Sequence, residues 1–254
     1  MKKFITLIAS VLIAFSFTKI VLADGHQVYG PYPITLKGYD GDKTNSVKYT
    51  GQMARHALHD SLKAVVKTGD VAKMMAYYNG EDGLAIVAPA SKGDFVIKQT
   101  MVSEIGSGNL SGKMYKGYIP GWGNLTGPEA LEHMITKAGE VEGGFDPNTG
   151  MDYTQLISKF AMGAVFYNQA VNSYLGSKME IGQKPNSEPY KEGAYYTGKE
   201  HSWDEAFGYW GSAAHALTLS AEQNYNVAKK KDMASADFNG DGVVDVYSEY
   251  TYAH

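Results

Sequence analysis

The stretch DYTQLISKFAMGAVFYNQAVNSYLG, Asp152 to Gly176, decides the fold class. After Asp152, the residues Leu156, Phe160, Ala164, Tyr167, Val171 and Tyr174 or Leu175 recur at three- and four-residue spacing, one stripe of an amphipathic helix. Gly163 and Ala164 leave room on it for a close neighbour.

Upstream, Met53, Ala57, Leu58, Leu62, Val65 and Val66 repeat the pattern and predict a helix from Met53 to Val66 that ends near Gly69. Asp70 caps a second short helix, VAKMMAYY, and Asn79-Gly80 stops it, so the two form a helical hairpin. Between residues 81 and 125 periodicity does not decide: LAIVAPA reads as a buried helix or a strand, Asp94 to Glu104 as a helix, and GSGNLSGKMYKGYIPGWGNLTG as loop. Thr126-Gly127-Pro128-Glu129 then has the spacing of a capping box with proline in the first turn, and predicts a helix through about Ala138.

Downstream of Gly176 comes a long loop, GSKMEIGQKPNSEPYKEGAYYTGK. A loop of that length inside a compact domain is more often functional, or ordered by its own contacts, than idle. Ser202 and Glu205 form a further capping box ahead of a helix from Trp203 that continues, bent near Gly211, to about Lys231. Five or six helices, no convincing hairpin strand and no short repeat predict an all-α helix bundle with long ordered loops.

The opening residues MKKFITLIASVLIAFSFTKIVLA combine two lysines, an apolar run and small residues before Ala23, the pattern of a secretory signal cleaved after Ala23. Ser16, Thr18 and Lys19 interrupt the run, which is too short to anchor the processed chain in a membrane. Residues 24 to 254 are then a single mostly helical domain, periplasmic or secreted, and read also as a C-terminally shortened copy of a longer one. The formal net charge is -4, and the leader holds three lysines and no acid, so the processed chain is more acidic still and nucleic acid is an unsuited partner. Without cysteine there is neither a disulfide framework nor a thiolate metal site nor a residue to take a lipid.

Near the C-terminus, DFNGDGVVD, Asp237 to Asp245, places an acid or amide oxygen at alternate positions with glycine sixth. A calcium loop needs oxygens at that spacing because the chain wraps the ion, and glycine because the backbone bends sharply. Asp237, Asn239 and Asp241 fit positions one, three and five, Val243 offers its carbonyl at seven, and Asp245 stands at nine. The twelfth position is Ser248, with Glu249 one residue late. Either Glu249 reaches the ion through a wider turn, or Ser248 and water replace it and affinity falls to about 0.1–1 mM. AEQNYNVAKK supplies an entering helix, but fewer than eight residues remain for an exiting one, so the loop is EF-hand-like and no more.

A second constellation is KEHSWDEAFGYWG, where Glu200 with Asp204 and His201 with Glu205 are pairs four apart on a helix. The plain reading is an acidic first turn favoured by the helix dipole, with Trp203, Phe207 and Trp210 packing inward. The alternative is a metal site, a metallopeptidase with a metal-bound water as nucleophile. A free Asp24-Gly25-His26 terminus is a candidate for Cu(II) or Ni(II), and with it a third reading, periplasmic copper or iron handling. His56 and His59 read as solvated helix histidines, and His133 and His215 as hydrogen-bonded structural groups. GSGNLSGKM lacks the spacing of a phosphate loop, and no GxSxG elbow or nucleophilic cysteine is present. The leaning is therefore away from an enzyme.

In order, DYTQLISKFAMGAVFYNQAVNSYLG, KEHSWDEAFGYWG and DFNGDGVVDVYSEY resemble the bacterial family termed domain of unknown function 4856, over about residues 150 to 250. That family is loosely similar to imelysin-like proteins. The resemblance implies an exported helix bundle with iron-regulated surface or periplasmic roles, sometimes as a peptidase. The imelysin pattern GxHxxE is not met: Gly198 precedes His201 by three residues, and Asp204 holds the acid position with Glu205 one later.

Overall fold

The computed structural model describes residues 27–253. The leader, the cleavage point, the Asp24-Gly25-His26 motif and His254 lie outside them. Among the described residues seven α-helices and one two-stranded sheet make the chain mostly helical, and no helix is long and apolar enough to cross a membrane.

Helix α1, Thr50–Val65, is the central element, and α2 (Val71–Asn79), α4 (Tyr153–Ala161) and α5 (Gly198–Trp210) all pack on it. Met53, Ala54, Ala57, Leu58 and Leu62 of α1 are fully buried. Four of its polar residues, Gln52, His56, His59 and Ser61, are buried as well, each bonded to a different neighbour. Gln52 donates to the Glu205 carboxylate at 2.7 Å, and Ser61 to the carbonyl of Ala88 at 3.1 Å. His56 Nε2 lies 3.1 Å from the carbonyls of both Gly208 and Tyr209, and His59 Nε2 lies 3.0 Å from that of Ser158. The histidines expected to be solvated are thus core residues, His56 stacked between Phe166 and Tyr252. An apolar stripe alone cannot reveal that, because a polar side chain enters the core wherever a partner awaits it.

The α1–α2 hairpin forms as its signals predict. Asp70 accepts from the Lys73 N–H, and Gly80 adopts φ 62°. Helix α3, Gly127–Gly139, opens with the Thr126/Glu129 capping box. Residues 81–125 form neither the predicted helix at Asp94 nor a sheet. They follow isolated bridges, among them Ala85 to Met101 and Ile97 to Val244, with short 3-10 turns at Val102–Glu104 and Ser111–Lys113. A small antiparallel hairpin, β1 (Phe145–Asp146) with β2 (Met151–Asp152), precedes α4.

After α4 the helix widens into a π-helix over Met162–Tyr174. Leu175 N donates to the carbonyl of Ala170, five residues back, at 2.9 Å. Tyr115 N meanwhile takes the Ala164 carbonyl at 2.8 Å, the close neighbour expected at Ala164, whereas Gly163 faces open space. The wider turn moves the stripe. Ile157, Ala161, Val165 and Tyr174 are buried, while Tyr167, Val171 and Leu175, assigned to the stripe by a period of 3.6, are exposed.

Helix α5 starts earlier than predicted. Thr197 is its cap, bonded reciprocally with Glu200, and Ser202 instead donates back to the carbonyl of Gly198. Nor does it continue past Gly211, which adopts φ 74°. A side chain at Gly211 would meet the His56 ring at 2.5 Å, so both the turn and the histidine require glycine there. The chain then passes through a 3-10 turn at Ala216–Thr218 to α6, Ala221–Ala228, capped by Ser220, and to one-turn α7, Met233–Ala236.

Candidate functional site

The acidic loop begins where α7 ends, and its residues are held by their own side chains. Asp237 accepts from the N–H groups of Gly240, Asp241 and Gly242 at 2.9–3.1 Å. Asn239 Oδ1 accepts from Asp241 N at 2.8 Å, and Asp241 Oδ1 from Val243 N at 3.1 Å. These successive turns of backbone around side-chain oxygens are what Asp and Asn provide when they compete with regular structure. Gly242, at φ 87°, makes the bend.

Glu249 closes the loop. It is 4 % exposed, and its carboxylate accepts from Phe238 N and Asn239 N on one oxygen and from Asp245 N on the other, at 2.8–3.1 Å. Glu249, and not Ser248, is therefore the side chain that turns into the loop. Asp245 is shared with the core: Gln99 Nε2 donates to it at 2.9 Å, and Lys98 Nζ lies at 3.6 Å. Val244 is fully buried, exchanging backbone bonds with Val96 and Lys98. Across the loop, His215 stacks on Phe238 at 4.7 Å and bonds the Ser235 carbonyl at 2.9 Å.

The loop is not a helix-loop-helix unit. One-turn α7 leads into it in place of the long entering helix, and after Glu249 the chain runs extended into the core, where Tyr250 and Tyr252 are buried and Tyr252 N donates to the Gly211 carbonyl. Among the described residues no group of three or more His, Cys, Asp or Glu side chains is placed to hold a metal ion. The loop's oxygens are not saturated, however. A carboxylate offers about four acceptor directions. Asp237 and Glu249 each use three on N–H groups, while Asp241 uses two, one on Val243 N and one on Asn239 Nδ2 at 3.2 Å. The donor set is all oxygen, the preference of calcium.

The second constellation does not assemble. Glu200 serves the cap of α5 and accepts from Thr35 Oγ1 at 2.6 Å. Asp204, one turn on, is buried and has other partners, accepting from the Tyr29 hydroxyl at 2.6 Å and from Lys48 N at 2.9 Å. Burial pushes its carboxyl up to about 6, although both hydrogen bonds act to lower it. His201 and Glu205 do meet, at 3.5 Å, beside Gln52. Burial lowers the His201 imidazole below its ordinary value. Tyr29, Gln52, Lys98 and Gln99, the partners of these acids, carried no signal in the sequence. Each lies more than 140 residues from the acid it meets, where spacing says nothing.

Beside α5 the surface opens into an apolar groove of about 1240 Å³, reaching from the His59–Ser158 contact to Tyr225. Trp203 and Trp210, expected to pack inward, line it half-exposed. Only Phe207 between them stacks fully, on Tyr29 at 3.6 Å.

The described chain is thus a mostly helical protein with an acidic loop docked on its core and an apolar groove along its fifth helix. Residues 130–248, from within α3 to Ser248 in the acidic loop, match the family model described as Domain of unknown function (DUF4856). No curated protein and no solved structure matches the chain.

Proposed function

We propose that this protein is exported by its leader, acts in the periplasm or outside the cell as a non-enzymatic binding protein, and carries a structural calcium ion in the loop Asp237–Glu249. The observation that carries the calcium reading is the run of side-chain turns from Asp237 to Val243, closed by buried Glu249, with acceptor capacity left on Asp237, Asn239, Asp241 and Glu249. Val243 contributes its carbonyl and Asp245 braces the ninth position. An ion that binds the folded loop and not the unfolded chain stabilises the fold, by about 2.7 kcal/mol at a concentration one hundred times Kd.

The test is the melting temperature after chelation, titrated in turn with calcium, zinc, iron and copper, for the parent protein and Asp241→Ala. The reading expects calcium alone to raise it and the variant not to respond. No response to calcium, or an equal response in the variant, overturns it. The export half is tested separately: mass spectrometry of the secreted or periplasmic protein is expected to find Asp24 as the first residue.

A further inference from the structure

Two of the apolar stripes read from the sequence, those of α5 and of the helix after Asp152, are left partly uncovered by the fold. Trp203 and Trp210 of α5 are each 54 % exposed, and Tyr167 of the π-helix is 62 % exposed. Val171 and Leu175 continue that second stripe. All five face the same groove, whose volume is above the range of about 300–1,000 Å³ typical of small-ligand sites. Contiguous apolar surface of this kind, rimmed by polar residues, marks a binding site.

The charge in the groove is gathered at one end. Among the described residues its charged lining side chains, apart from histidine, are Asp60, Lys63 and Lys159. Asp60 Oδ1 lies 3.4 Å from His59 Nδ1. Neither lysine is in an ion pair with a described residue; Lys159 Nζ lies 3.7 Å from the Met162 sulfur. In a chain of net charge -4, this end carries one positive charge in excess at the mouth of an otherwise apolar channel.

We propose that the groove binds a single-chain amphiphile with an anionic head, a long-chain carboxylate or a molecule of that shape. Its chain lies between the Trp210 and Val171 stripes, and its head between Lys63 and Lys159. The inference deepens the reading of the protein as a binding protein and is independent of the calcium loop. It separates the three states of such a molecule by chemistry: the anion is matched, the neutral alcohol loses the head contact, and the cation meets two lysines.

Binding of dodecanoate, dodecanol and dodecyltrimethylammonium, each below its micelle concentration, is measured by calorimetry and by tryptophan fluorescence on the purified protein, with calcium and again with chelator. Saturable one-to-one binding of dodecanoate is expected, at least tenfold tighter than the cation, under both conditions. Lys63→Glu combined with Lys159→Glu should reverse that preference. Val171→Asp should abolish binding of all three, and Tyr167→Glu repeats that test if the first variant melts early. Absence of saturable binding, or equal affinity for anion and cation, overturns the proposal. So does a dimer, seen by light scattering, that Val171→Asp dissolves, because the groove is then covered by a second copy of the chain. Calcium dependence of the melt without amphiphile binding sinks this inference alone; amphiphile binding without any calcium response sinks only the calcium reading.

Discussion

On α5, the acids Glu200, Asp204 and Glu205 reach outward to three different partners, Thr35, Tyr29 with Lys48, and Gln52. In the loop, the acids Asp237, Asp241 and Glu249 turn back on backbone N–H groups within a dozen residues of themselves. The two motifs look alike as acid clusters. A helix fans successive side chains around its axis, so adjacent Asp204 and Glu205 part company, while Glu200, one turn back, is taken up by the cap. A chain of tight turns has the opposite effect and brings alternate side chains inward. The first arrangement joins distant parts of the fold; the second makes a local structure, the one proposed above to take calcium.

This contrast orders the expected effects. Asp204→Ala should be the most damaging change, about 2–4 kcal/mol by denaturant unfolding, since it leaves the part-buried Tyr29 hydroxyl and Lys48 N–H without their acceptor. The loss should be the same with calcium or with chelator; a calcium-dependent loss would merge the two regions. Glu249→Gln comes next, at about 1–3 kcal/mol, because a charged acceptor of three N–H groups is replaced by one neutral oxygen and an amide. Here the calcium response of the melt should weaken as well.

Titration separates the regions further. Asp204 has a native value near 6, above the ordinary 3.8, so its stabilising contribution is full below about pH 4 and lost as pH rises through 6. Asp204→Asn should remove that slope, an effect of about 3 kcal/mol across the window. His56 works the other way: burial lowers it to about 3, so its contribution is full above about pH 6.5 and lost as pH falls. Stability curves of the parent and Asp204→Asn between pH 3 and 8 check both signs. The smallest effects are those of Glu200→Ala, a lost cap of about 0.5–1 kcal/mol, and Asp241→Ala. The latter should cost under about 1 kcal/mol in chelator, as expected of an exposed turn residue, while abolishing the response to calcium.

The sequence exposed what local chemistry controls. Asp70 with Gly80, the Thr126/Glu129 box and the turns of DFNGDGVVD all stand where composition places them, because each is decided within five residues. The α5 cap was misread by one turn: Thr197/Glu200 and Ser202/Glu205 have the same spacing, and only the surroundings choose between them. The π-helix escaped notice because the Tyr115 N–H that bonds Ala164 comes from a loop some fifty residues away. The burial of His56 and His59 follows from carbonyls of α5 and α4 that no spacing reveals.

The backbone pairing of Val244 with Val96 and Lys98, and of Tyr252 with Gly211, bears on how the molecule reaches its native state. These contacts span up to about 150 residues, and the loop-closure entropy of such pairings makes assembly slow. Residues 85–102 bridge locally, Ala85 to Met101 and Lys92 to Phe95, but the pairing of Val96 and Lys98 cannot form until Val244 has emerged from synthesis. A chain delayed in this way remains threadable, as the export proposed above would require.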